Sequence, residues 1–103
     1  MVEKKVYTVT EKWYSSHLGE IYTKVNFMFF SIEKAKEYIK RELDNDLEWY
    51  IKEYMGDDEK WGNEVRKDSR RVENEEDNIY GIYPEDGEHK WFEYQIDEVK
   101  FFN

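Results

Sequence analysis

Residues 20–39, EIYTKVNFMFFSIEKAKEYI, change their hydrophobic period at Ser31, and that change decides the fold. Before it the chain alternates: Ile21, Thr23, Val25, Phe27 and Phe29 share one face, while Tyr22, Lys24, Asn26 and Met28 take the other. A two-residue period of this kind belongs to a half-buried strand. After it, Ile32, Ala35, Ile39, Leu43, Leu47, Tyr50 and Tyr54 recur every three or four residues, which predicts a helix over 32–55. Ser31 suits the N-cap, Glu33 favours the positive end of the helix dipole, and Gly56 is a natural stop. Glu37 with Arg41 and Glu48 with Lys52 are i,i+4 pairs in the favourable order.

Toward the N-terminus, residues 6–14 are rich in β-branched and aromatic types, with Tyr7, Val9 and Trp13 on one face. The short Ser15-Ser16-His17-Leu18-Gly19 link joins this run to the strand at 20–30 as a β-hairpin. Toward the C-terminus, residues 57–77 are polar and lack a clear period, and read as a long loop with a frayed strand near 64–73. Residues 78–83 form a short strand, Pro84-Glu85-Asp86-Gly87 a turn, and 88–96 a strand with Phe92, Tyr94 and Ile96 on one face. Val99, Phe101 and Phe102 point to a packed chain end. The expectation is a single α+β domain over 1–103, an antiparallel sheet of about four strands in ββαββ order with one long or kinked helix on one face.

One residue does not fit. In a continuous helix Asp46 projects from the middle of the apolar stripe, where an unpaired carboxylate is costly. Two outcomes are expected: a break at Asp44-Asn45-Asp46, or an overhang of the helix, about 36 Å long at 1.5 Å per residue, that leaves Asp46 wet.

Charged residues make up 40% of the 103, a share that alone favours disorder. Four Trp, nine Tyr and six Phe argue instead for a folded domain with a thin aromatic core. There is no Cys, so disulfides, zinc–thiolate sites and thiol nucleophiles are excluded. No apolar run follows Met1, and none approaches the ~18 residues of a membrane span. The expected location is the cytoplasm, with no membrane contact.

The net charge of −9 is unevenly placed. Residues 1–40 carry seven Lys and five Glu, whereas 41–103 carry nine basic and twenty acidic residues. Such a field disfavours direct nucleic-acid binding and favours basic partners. Alternate strand residues stand about 6.7 Å apart and helical i,i+4 pairs have Cβ atoms about 5–6 Å apart, both close to the spacing of successive phosphates. Glu42, Asp44, Asp46, Glu48, Glu53, Asp57, Asp58 and Glu59, with Glu73, Glu75, Glu76, Asp77, Glu85, Asp86 and Glu88, could therefore imitate a nucleic-acid backbone. Tyr38 and Trp49, eleven residues apart, share a second helix face with Glu42 and Glu53 and are candidate interface anchors.

Catalytic signals are weak. His17 sits in the predicted hairpin loop and His89 just after the Pro84–Gly87 turn, with no helical i,i+4 histidine motif. The acidic runs at 44–48 and 57–62 lack the Asp-x-Asp-x-Asp-Gly order of a calcium loop. No Gly-x-Ser-x-Gly elbow and no Gly-rich phosphate loop occurs. No cofactor and no catalytic residue is assigned. In composition alone, resting on no motif, the chain resembles small proteins of phages and mobile elements, among them inhibitors of restriction and CRISPR enzymes. The expected function is that of a non-enzymatic inhibitor or nucleic-acid mimic occluding a basic, nucleic-acid-binding partner. A self-associating domain, pairing as a homodimer through the Tyr38/Trp49 face or an edge strand, is the alternative. A small metal or hydrolytic protein using His17 and His89 is the third.

Overall fold

The chain switches from strand to helix where Ser31 caps the helix. The serine hydroxyl accepts from the Lys34 N–H at 3.4 Å and donates to the Glu33 carboxylate at 2.8 Å. The computed structural model describes residues 3–15, 20–84 and 90–102. Among these, five strands and two helices follow one another as β1 (Glu3–Ser15), β2 (Glu20–Phe29), α1 (Ile32–Met55), α2 (Glu59–Asp68), β3 (Arg70–Asn74), β4 (Ile79–Tyr83) and β5 (Lys90–Phe102). The strands form one sheet in the order β2-β1-β5-β4-β3, with every neighbouring pair antiparallel.

The α+β class is as expected, but the element count is not: the order is ββααβββ, with a second helix over 59–68 where a loop was expected and a fifth strand at 70–74 that overlaps the frayed strand read near 64–73. Within 57–77, Asp58 caps α2 by accepting from the Trp61 N–H at 3.2 Å. Helix α2 needs only a narrow apolar contact, because it rests on α1 through Gly62 and Val65 rather than on the sheet. Strand β3 is an exposed edge strand, so no alternation marks it. In the turn that follows, Asn78 takes the left-handed conformation at φ 54°, which a short amide side chain tolerates.

Helix α1 runs unbroken from Ile32 to Met55, ending at Gly56, whose φ of +60° favours glycine. No break occurs, and Asp46 is not left wet: it is half-buried and bonded to Tyr94 of the sheet. Strands β1 and β5 have thirteen residues each, about 44 Å at ~3.4 Å per residue, longer than the roughly 36 Å of α1. The molecule is accordingly elongated, 57 × 26 × 22 Å.

The core lies between α1 and one face of the sheet. Ala35, Ile39, Leu43, Leu47, Tyr50 and Ile51 meet Val9, Tyr80, Ile82, Phe92, Tyr94 and Ile96, with Val65 of α2 at the edge. Val9, Ile39 and Ile82 are wholly enclosed, each contributing about 1.5–3 kcal/mol relative to exposure. The turn at 84–87 lies outside the described residues except for Pro84, which is buried. Beyond Ile96 the packed end expected from sequence is instead paired but partly open: Val99 and Phe101 are exposed, while Glu3 to Lys5 pair with Phe102 to Lys100.

The β1–β2 register shifts between Val9 and Thr10. Phe27 and Phe29 stand opposite Val9 and Tyr7, but Lys24 and Tyr22 stand opposite Glu11 and Trp13. The uniform alternation read over 21–29 therefore does not hold across the whole strand. A bulge adds a residue to one strand, which exchanges the faces beyond it.

Candidate functional site

Asp46 lies between Leu43, Leu47 and Tyr50 on the buried stripe of α1, so it faces the sheet. It meets Tyr94, which β5 carries between Glu11 of β1 and Tyr80 of β4 in the register. The Tyr94 hydroxyl donates to the Asp46 Oδ2 at 2.6 Å, and the Glu11 Oε1 lies 3.2 Å from the same hydroxyl. One phenolic proton thus stands between two carboxylates.

The electrostatics follow from that arrangement. Burial pushes the Asp46 carboxyl up to about 7; the Tyr94 hydrogen bond opposes the shift, and the charges of Glu11 and Glu42 add to it. Burial also raises the Tyr94 phenol, reinforced by its bond to Asp46 and the neighbouring negative charges. Tyr94 is therefore a fixed donor at any ordinary pH.

Asp46 and Glu11 also line a cleft of about 270 Å³ walled by Trp13, Trp49 and Phe92. Trp49 packs edge-on against Phe92, with ring centroids 6.2 Å apart and planes at 89°, yet remains 45% exposed. An aromatic wall over a desolvated carboxylate can stack on a cation and neutralise it.

The other sequence candidates are dispersed. Tyr38 is half-buried and packs on Phe27 and Phe29, with centroids 5.1 and 5.3 Å away. Burial pushes its phenol up to about 12. Glu42 is half-buried beside it. Asp44 pairs with Arg71 of β3. Glu48 accepts two bonds from Arg66 of α2, both at 2.7 Å, and its carboxyl lies below the usual range as a result.

Glu53, Asp57, Asp58 and Glu59 stand exposed where α1 meets α2, the last three lining a pocket of about 480 Å³ that Arg66 shares. Glu73, Glu75, Glu76 and Asp77 stand exposed around the β3–β4 turn. Glu73 and Glu75 share a cleft there with Lys36, Lys40 and Arg71. Lys36 and Glu53, seventeen positions apart, stand roughly 25 Å from each other along the helix, so the acid forms two groups toward opposite ends of α1, with bases between. Glu85, Asp86, Glu88, His17 and His89 lie outside the described residues. Among the described residues no group of His, Cys, Asp and Glu is arranged to hold a metal, and no helix is long and apolar enough to cross a membrane.

Sequence reading singled out Asp46 but not Glu11, Trp13, Phe92 or Tyr94 as members of a site. The signal was present. Glu11 interrupts the Tyr7–Val9–Trp13 face as Asp46 interrupts the helix stripe, so two carboxylates occupy positions that the pattern reserves for apolar side chains.

Searches of protein-family models, curated proteins and solved structures return no match to this chain.

Proposed function

We propose that this chain is a non-enzymatic acidic binding protein that engages a basic partner and occludes a surface the partner uses to hold nucleic acid. The observation that carries the reading is the exposure of eight carboxylates in two groups. Glu53, Asp57, Asp58 and Glu59 form one, and Glu73, Glu75, Glu76 and Asp77 the other. Exposed like charges raise the local concentration of a basic partner and speed its docking. Inhibition of a restriction or CRISPR-type enzyme is one form such occlusion takes, and the acidic balance of residues 41–103 supports it.

The test is affinity capture of proteins from a bacterial lysate at low and at moderate salt. The bait is compared with a variant carrying Glu53→Gln, Asp57→Asn, Glu59→Gln, Glu75→Gln and Glu76→Gln, which leaves the Asp58 cap intact. Basic nucleic-acid-binding proteins are expected on the native bait at low salt, with loss as the Debye length shrinks from about 30 Å at 0.01 M to about 10 Å at 0.1 M. Equal capture by bait and variant, or no basic protein at low salt, removes the reading.

A second reading is self-association through the β2 edge. Phe27, Met28 and Phe30 are 56%, 68% and 87% exposed there, on the part of the chain that carries seven Lys against five Glu. A second copy docking at this edge meets little of the acid that repels it elsewhere. Light scattering of Phe30→Ser against the native chain tests this, and a native protein that stays monomeric at high concentration excludes it.

A further inference from the structure

We propose that the cleft lined by Trp13, Trp49, Phe92, Asp46 and Glu11 is a binding site for an arginine side chain. The inference rests on the basic-partner reading for the source of the arginine and on separate residues for its geometry.

Size limits the ligand first. About 270 Å³ lies just below the roughly 300–1,000 Å³ of pockets that hold drug-sized molecules, and suits a single long side chain. The lining then limits the chemistry. Among the described residues the cleft is lined by Trp13, Trp49 and Phe92, and its charged groups are the Glu11 and Asp46 carboxylates. Two carboxylates in a cleft that three aromatic rings line fit a flat cation that donates N–H bonds and stacks on indole. Guanidinium meets both demands, and its weak hydration eases entry. Ammonium, compact and strongly hydrated, meets neither as well.

The charge around Asp46 favours the same occupant. The groups facing it are Glu11 from β1, Tyr94 from β5, and Glu42 and Tyr38 from α1 itself, with Tyr80 of β4 beside Tyr94 and the Arg41 cation of α1 acting on Tyr38. Lys24 of β2 stands opposite Glu11 in the register and is exposed. The groups acting on Asp46 are thus carboxylates and phenols, and burial holds its proton on until about pH 7. A guanidinium entering the cleft replaces that proton as the neutralising charge, so binding releases a proton near neutrality.

The probe is N-acetyl-arginine amide. N-acetyl-citrulline amide serves as its uncharged counterpart, and the Trp13 and Trp49 indole N–H signals are followed by NMR. Saturable shifts at both indoles are expected, at least tenfold weaker for citrulline. Binding should be about tenfold weaker at pH 6 than at pH 8, because Asp46 is then about one-tenth ionised. Asp46→Asn should weaken binding at least tenfold without loss of fold, since an amide oxygen still accepts from Tyr94. Trp49→Ala, at a partly exposed ring, gives an independent variant with the same expected direction. No saturation by the arginine probe, equal binding of citrulline, or unchanged binding by both variants overturns the proposal. Probe failure with successful lysate capture removes the cleft and leaves the acidic-surface reading. Probe binding with failed capture does the reverse.

Discussion

Replacing Asp46 with Asn should make the protein more stable at neutral pH and change the way its stability depends on pH. The Asp46 carboxyl moves from its ordinary 3.8 to about 7 on folding, chiefly by burial. At ~1.4 kcal/mol per unit, ionising it in the folded protein costs about 4 kcal/mol more than in the unfolded chain. The folded state binds this proton more tightly, so the favourable contribution is complete below about pH 4 and is lost as pH rises through about 7. Between pH 5 and pH 8 the native protein should lose about 2.5 kcal/mol relative to Asp46→Asn, or roughly 10–20 °C in Tm for a domain of this size. The remaining carboxylates titrate in both proteins, so the difference between them isolates this one. Urea unfolding followed by tryptophan fluorescence at pH 5, 6, 7 and 8 provides the curves. Two parallel stability–pH curves, offset by a constant, would refute the assignment of a desolvated, titrating Asp46.

Tyr94→Phe removes the donor that Asp46 receives at 2.6 Å and should destabilise by about 2 kcal/mol above pH 7, less at pH 5, where the carboxyl is protonated; a penalty independent of pH would contradict the coupling. Ser31→Ala removes the cap bonded to the Lys34 N–H and should cost ~1 kcal/mol in urea unfolding, whereas Ser31→Asp should restore it. Gly62→Ala places a Cβ 3.0 Å from the Ile51 Cγ2, so the ~1 kcal/mol gain normal for this exchange in a helix should be absent or reversed. A full gain measured by the same unfolding assay would show that α2 does not press on α1 at that point.

The hairpin and α1 were legible because their signals are local. Ser31, the 3.6-residue period and Gly56 set the helix bounds at 32–55 without reference to the rest of the chain. Helix α2 was not read, since a helix resting on another helix needs a thin stripe, here little more than Gly62 and Val65. Its polar signals were nevertheless present: Asp58 at the cap, Glu59 in the first turn, and Arg66 and Lys67 in the last. Strand β3 lies at a wet edge and carries no alternation, so only a frayed strand near 64–73 was read there and its bounds were not. The bulge on the β1–β2 ladder has no composition signature, and it undid the alternation on one side of Asn26. For the site, the two misfit acids were visible in sequence. Their meeting was not, because it depends on the register that sets Glu11 opposite Tyr94, 83 residues away.

Strand β5 fills the middle of the sheet although it comes last of the seven elements. Until it enters, β1–β2 and β3–β4 are two separate hairpins, and the apolar side of α1 has only part of its cover. The β1–β5 ladder closes loops of up to about a hundred residues, from Ser15 with Lys90 out to Glu3 with Phe102. Loop-closure entropy must be overcome before these contacts repay it, which places folding toward the slow end for a domain of this length. The unjoined hairpins would present open strand edges and unburied aromatics during that interval. The dense surface charge then has a second consequence, during folding rather than in the native state: it keeps half-assembled chains apart while the central strand finds its place.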